Sequence, residues 1–187
     1  MQIYANPEHY ALLRALYQAS VQRQQELTLM GGAEAHEGHV WIRRLVMPKQ
    51  EGSAGYTELV GVPTWMDDLE GLAPVWIHTH PGMKAFWSST DEETLDAFAP
   101  PPIRDALVWG VSIVLGRDKW LGRVSLWQPL PFVIEPVQVV MEPSEGYLAQ
   151  GAAWLTEQIR KQVSWHVWKA PKGGHKGWNK GWWDRYE

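Results

Sequence analysis

The sequence contains no cysteine. Disulfides and thiolate metal sites are therefore excluded, and any bound metal must rest on histidine, aspartate, glutamate or water. The absence also fits a reducing compartment, so the cytoplasm is the expected location. No apolar run approaches the roughly 20 residues that a helix needs to cross a bilayer, so no membrane partner is expected. The first residues, "MQIYANPEHY", lack a basic region followed by an apolar one and do not read as a secretory signal. Basic charge is not in excess. The formal net charge is -4, which argues against nucleic acid as the main partner. There is no internal repeat. What remains is 187 residues, 45% hydrophobic and 20% charged, enough for one well-buried core but short for two domains.

Residues 7–25, "PEHYALLRALYQASVQRQQ", place Tyr10, Leu13, Leu16 and Tyr17 at helical spacing behind a proline suited to a first turn. "ELTLMGG" (26–32) reads as a short strand ending in a glycine turn, and 39–48 as the next strand. "GSAG" (52–55) reads as a loop, 56–63 as a strand and 64–72 as a short helix behind a threonine cap. "PVWIHTH" (74–80) is a buried strand, and 88–99 a helix broken by "APPPIR". Residues 106–116 and 119–128 form a hairpin, 132–141 a strand interrupted at Pro136, and 144–168 a long helix. This order predicts an α/β (α+β) sandwich around one central sheet.

The chemistry concentrates in "VWIHTHPGMKAFWSSTDEET" (75–94). In a strand, residues i and i+2 share a side, so His78 and His80 present two imidazoles to one point with Thr79 turned away. Asp91, in the first turn of the next helix, would complete a His-His-Asp set. Three protein ligands leave one corner of a tetrahedral zinc open, as a catalytic site requires. Each element also has an ordinary explanation. An isolated His-x-His is more often a polar strand end, and Ser88 with Asp91 matches a capping box. Ser89 with Glu92 and Thr90 with Glu93 supply two further registers of that box, so the helix can be capped while Ser88 and Asp91 stay free. All four residues in one short window favour metal.

The stretch His78-x-His80-Pro81-x6-Ser88-x2-Asp91 resembles the JAMM motif of the JAB/MPN metalloprotease family, with every spacing intact. The family's pattern includes an upstream glutamate, usually within E-x-x-G-x-L-x-G, in a strand after an N-terminal helix. Glu26 of "ELTLMGG" stands in that place, although Leu29 replaces a common glycine and the glycines fall at Gly31 and Gly32. Glu34 and Glu37 lie beyond them and read as loop residues. The resemblance covers residues 7–128 in element order. It implies a single MPN/JAB-like domain over 1–168, its central mixed sheet flanked by the N-terminal helix, the motif helix and a C-terminal helix.

By the same resemblance, His78, His80 and Asp91 bind one zinc per chain, Glu26 is the general base and Ser88 supports the oxyanion. The implied reaction is hydrolysis of an isopeptide or peptide bond after the C-terminus of ubiquitin or a ubiquitin-like protein. An extended Gly-Gly tail would add to a sheet edge beside the metal, with Trp65 and Met66 as apolar contacts. The compact length is similar to prokaryotic or viral members, whose partners include activating- and conjugating-enzyme-like proteins, in some cases in antiphage defence. Two alternatives stay open: a JAB-type metallopeptidase or amidase on a small substrate, and a non-catalytic MPN scaffold. Scaffolds lose the histidines or the aspartate, and this chain keeps them.

A Gly/Lys/Trp-rich tail (169–187) ends the chain, within a terminal region where Trp154, Trp165, Trp168, Trp178, Trp182 and Trp183 accumulate. Aromatics interleaved with lysine can stack on single-stranded nucleic acid. The acidic whole favours packing or protein contact instead.

Overall fold

The computed structural model describes residues 1–60, 71–98, 108–129, 131–141 and 145–165. The tail at 169–187, Trp65, Met66 and most of the expected 64–72 helix lie outside them. In chain order the elements are β1 (Gln2–Ala5), α1 (Pro7–Arg23), β2 (Thr28–His36), β3 (His39–Val46), β4 (Gln50–Ser53), β5 (Tyr56–Leu59) and β6 (Ala73–Thr79). They continue as α2 (Ser89–Phe98), β7 (Trp109–Leu115), β8 (Trp120–Leu126), β9 (Phe132–Met141), α3 (Glu145–Gln162) and β10 (Val163–Trp165).

The expected α/β sandwich, a central sheet between helices, does not form. Seven strands close into a mixed barrel in the order β1-β3-β2-β6-β7-β8-β9, and a separate sheet runs β10-β4-β5. The structure is mostly β, with three short helices among the described residues. Closure depends on β1, which runs parallel to both β3 and β9. Four residues ahead of Asn-Pro carry too little alternation to read as a strand. Yet they remove both free edges of the sheet, which would otherwise leave backbone groups unpaired.

Helix α1 begins as expected. The Asn6 side chain accepts from His9 N–H at 2.8 Å, with proline in the first turn. It packs mainly on α3, whose Leu155 and Ile159 join Leu12, Leu13 and Leu16 in the core. Helix α3 is shorter than expected. It stops at Gln162, and the chain continues as β10, parallel to β4. Strand β9 runs through Pro136 because the β8–β9 register shifts there, and a bulge needs no ladder donor from proline.

The glycine turn predicted after Met30 is also absent. Gly31 and Gly32 lie within β2, paired with both β3 and β6. Glycine is required at 31 by close approach, since a Cβ there would lie 2.1 Å from the Arg44 carbonyl oxygen. On β6, Val75 and Ile77 belong to the apolar core while Trp76 and His78 take the other face. Both faces of this strand are buried. One face builds the barrel interior, and the other carries the chemistry.

Gly31→Ala is expected to cost roughly 1–3 kcal/mol by forcing β2 and β3 apart. Gly55→Ala, with open space around it, is expected to change stability by less than about 0.5 kcal/mol. Urea unfolding of the two variants checks the pair.

Candidate metal centre

His78 and His80 lie at the end of β6, where β2 and β7 hold the backbone on both sides. Thr28 pairs with His78 on one side, and Val114 on the other. The His80 amide donates to the Leu115 carbonyl at 2.9 Å and the Thr79 amide to the Leu27 carbonyl at 3.1 Å. The following loop turns at Gly82, in the left-handed region at φ +72°. It is then buttressed by the β7–β8 turn. Arg117 N–H donates to the Met83 carbonyl at 2.7 Å, and Asp118 Oδ1 accepts from Ala85 N–H at 3.0 Å. Gly116 makes this fit possible, because a Cβ there would sit 2.2 Å from the Ala85 nitrogen.

Helix α2 begins with a capping box, and it is the Ser88–Asp91 register that forms it. Ser88 N–H donates to Asp91 Oδ2 at 2.7 Å, and Asp91 N–H donates to Ser88 Oγ at 3.1 Å. The expectation that another register would leave these two residues free is corrected. Capping does not compete with metal binding here, because a carboxylate has lone pairs to spare. The cap fixes the direction in which Asp91 faces the histidines.

His78 Nε2 and His80 Nε2 are 3.2 Å apart. Asp91 Oδ1 lies 3.1 Å from His78 Nε2, and Oδ2 lies 3.3 Å from His80 Nε2. All three side chains are buried. Metal–ligand bonds of about 2.0–2.1 Å give a tetrahedron with edges of about 3.3–3.4 Å, close to these separations. Three sets of lone pairs thus converge where water is scarce, and such an arrangement calls for protons or a cation between them. His78, His80 and Asp91 together can hold a metal ion. The Nδ1 atoms of both rings are buried without a hydrogen-bond partner among the described residues. Packing orients the rings instead. Trp76 stacks on His78 with centroids 4.3 Å apart, and Phe86 sets its edge against His80 at 4.7 Å.

The electrostatics agree with a cation-ready site. Burial pushes the His78 imidazole below its usual range, against the pull of Asp91, and so favours the neutral ligand form. Burial pushes Asp91 upward, but hydrogen bonds to His78 and His80, the His78 charge and the Ser88 amide outweigh it. They hold Asp91 well below the usual carboxylate range.

Glu26 approaches from the segment just before β2, its Oε1 4.0 Å from His80 Nε2. That exceeds a ligand–ligand edge, so Glu26 stands beside the metal position rather than in it. Its backbone is clamped on all sides. Glu26 N–H donates to the Ser53 carbonyl at 2.8 Å, and Leu27 N–H donates to Thr79 Oγ1 at 2.9 Å. Gln50, fully buried, exchanges two hydrogen bonds of 2.8 Å with the Thr28 backbone. Burial, with a further contribution from the Asp91 charge, pushes the Glu26 carboxyl up to about 8.

A small, partly enclosed cleft adjoins the site. Glu26, Thr28, Trp76 and His78 line it together with Ser88, Thr90, Asp91 and Thr94 of the α2 region and Tyr56, Thr57 and Leu59 of β5. The structure therefore brings together Glu26, His78, His80, Ser88 and Asp91. Glu34 pairs with Arg43, and Glu37 occupies the β2–β3 turn. Trp65 and Met66 lie outside the described residues. Sequence reasoning missed Gln50 and Thr79. Gln50 falls in a four-residue strand with no alternation. Thr79 is visible only as the residue between two histidines. In comparisons with known proteins, no family model and no curated protein matches this chain.

Metal content is expected at about one ion per chain, falling to near none in His78→Ala and Asp91→Ala, as read by elemental analysis. A pH series tests the electrostatics in chelator. Between pH 4.5 and about 8, folded Glu26 keeps a proton that the unfolded chain has lost, so its contribution to stability falls as pH rises. Asp91 acts oppositely: its contribution is present above its ordinary value of 3.8 and is lost on acidification. The melting temperature of metal-free protein is expected to decline between pH 6.5 and about 8, since below 6.5 the lowered His78 makes an opposing contribution that rises with pH. Either Glu26→Gln or a saturating divalent cation, which favours the charged carboxylate, should flatten that decline.

Proposed function

We propose that this protein is a zinc-dependent hydrolase of the JAMM type. Its substrate is the peptide or isopeptide bond after the C-terminus of a ubiquitin-like protein. The observation that carries the reading is the set His78, His80 and Asp91 within 3.1–3.3 Å of one another, with Glu26 4.0 Å from His80 Nε2. Motif spacing and site geometry support it; the fold expectation plays no part. Two nitrogens and a carboxylate, with no cysteine in the chain, suit zinc. The chemistry a bound zinc supplies is Lewis-acid activation of water and of the amide carbonyl near neutral pH.

The chain's own groups provide the rest. Glu26 takes the proton of the attacking water and passes it to the leaving amine. Its raised pKa, tempered by a neighbouring cation, keeps both directions of transfer accessible. Ser88 Oγ accepts from the Asp91 amide, so its hydroxyl proton is available to the oxyanion that forms on the amide. Water adds to the carbonyl carbon, the C–N bond breaks, and a carboxylate and an amine depart.

The substrate class is supported by the cleft. Strand β5, the outer strand of the small sheet, has no second strand partner among the described residues, and it lines the same cleft as the ligands. Thr57, also on β5, has a buried hydroxyl without a partner among the described residues. An extended C-terminal tail pairs with such an edge through its backbone, which leads its last residue to the metal. Conjugating partners of the ubiquitin-like substrate and a cytoplasmic location belong to this proposal.

The test is cleavage of a ubiquitin-like fusion carrying a Gly-Gly junction. Cleavage is expected to stop with chelator and return with zinc. Glu26→Gln is expected to retain zinc and lose turnover, and Ser88→Ala to lose about 100- to 1000-fold in kcat. Hydrolysis of small amides alone, with the fusion left intact, would overturn the substrate class. Zinc-loaded protein inert toward both would overturn the enzyme.

A further inference from the structure

Arg123, on β8, is a buried charge that the proposed chemistry does not use. It lies on the outer wall of the barrel in the same row as the site, since Trp76 pairs with Ser112 and Ser112 with Arg123. Its neighbours on β8, Gly122 and Val124, face the interior, Gly122 against Ile3 and Val124 within the core. The outward side chain meets α2. Nη1 and Nη2 donate to the two carboxylate oxygens of Glu92 at 2.7 Å each, a bidentate pair. Nε donates to Glu135. The β8–β9 register shifts between Gly122 and Val124, so the extra residue of β9 falls at Glu135–Pro136, opposite Arg123. Bulges re-aim side chains in this way. The central carbon of the guanidinium lies over the Trp87 ring, 4.5 Å from its centroid, and the Trp87 and His78 rings are tilted together with centroids 5.9 Å apart.

A buried arginine is costly unless its geometry is complete, and hydrophobic replacement is often no less stable. This one therefore calls for a purpose beyond stability. Its two carboxylate partners sit on different elements. Glu135 belongs to the barrel wall, and Glu92 adjoins Asp91 on α2.

We propose that Arg123 is a positioning residue for the metal centre: by bridging Glu135 of the barrel to Glu92 of α2, it fixes the helix start so that Asp91 faces His78 and His80. The inference rests on the metal reading above. Lysine cannot replace arginine here, since an ammonium lacks both the fork and the flat face.

The experiment measures zinc affinity of the full chain in a double-mutant cycle of Arg123→Lys with Asp91→Ala, by competition with a chromophoric chelator. The chelator is weak enough to follow the residual zinc binding that His78 and His80 retain in Asp91→Ala, even though that variant purifies nearly metal-free. Arg123→Lys is expected to weaken zinc binding about 10- to 100-fold in the native background, as outer-shell changes do. In the Asp91→Ala background the same change is expected to cost less than about twofold. Glu92→Gln, at a half-exposed side chain, keeps the fold safe and is expected to repeat the pattern. Equal losses in both backgrounds, or no loss in a folded Arg123→Lys or Glu92→Gln protein, would overturn the positioning role while leaving the metal reading intact. A native protein that binds no zinc would overturn both.

Discussion

Three side chains that need protons or a cation between them are held face to face. The lone pairs of two imidazoles and a carboxylate meet across 3.1–3.3 Å in a place from which bulk water is largely shut out. Left to themselves, such side chains would turn away toward solvent or toward partners that neutralise them. The fold prevents this by independent means. Strand alternation fixes the two histidines, a capping box fixes the aspartate, and aromatic walls fix the rings. A cation at their meeting point takes the place of the shared protons, and because the ligands are already placed, little ordering opposes its binding. Preorganisation of this kind is what separates a site from a coincidence of residues.

The barrel makes that rigidity available. Strand β6 is paired along both edges and buried on both faces, which leaves it no freedom to twist away. Its inner face contributes Val75 and Ile77 to the core, while its outer face offers Trp76 and His78 to the cleft. Glu26 could not be secured by a ladder alone, since it precedes β2. Side chains complete the job: Thr79 and Gln50 take the places that backbone groups would hold in a continuing sheet. Gly52 lets β4 approach closely enough, for a Cβ there would stand 2.8 Å from the Glu26 carbonyl oxygen.

Local periodicities made the site legible in the sequence. His78 and His80 need only strand alternation to share a face, and Ser88 and Asp91 need only the first turn of a helix. The hairpin of β7 and β8 was legible for the same reason, as its partners lie close in the chain. What escaped was set by distant pairing. Strand β1 has meaning only against β3 and β9, one of them more than a hundred residues away, and without β1 the sheet reads as open. Gly31 and Gly32 looked like a turn because sequence cannot show the Arg44 carbonyl that excludes a side chain. Nothing in the local sequence marks Arg123 as buried, because its α2 partner Glu92 lies 31 residues away in the chain. The capping box erred differently. Capping and ligation read as rival roles for Ser88 and Asp91 in the sequence, whereas one carboxylate serves both.

Closure of the barrel also bears on how a substrate is received. A closed sheet offers no edge along which an extended peptide can pair. Under the proposed function, backbone recognition falls to the smaller sheet. There the outer strand β5 carries Tyr56, Thr57 and Leu59 along the same cleft as Asp91 and Glu26. Burial, followed by the Glu58 charge, pushes the Tyr56 phenol up to about 12, so it stays a neutral hydroxyl at any physiological pH. An edge strand with no second partner among the described residues, presenting hydroxyls to the cleft, suits an extended backbone. The topology that closes the barrel thus leaves β5 as an edge beside the cleft where the ligands converge, which is the physical ground on which the proposed protein-tail substrate rests.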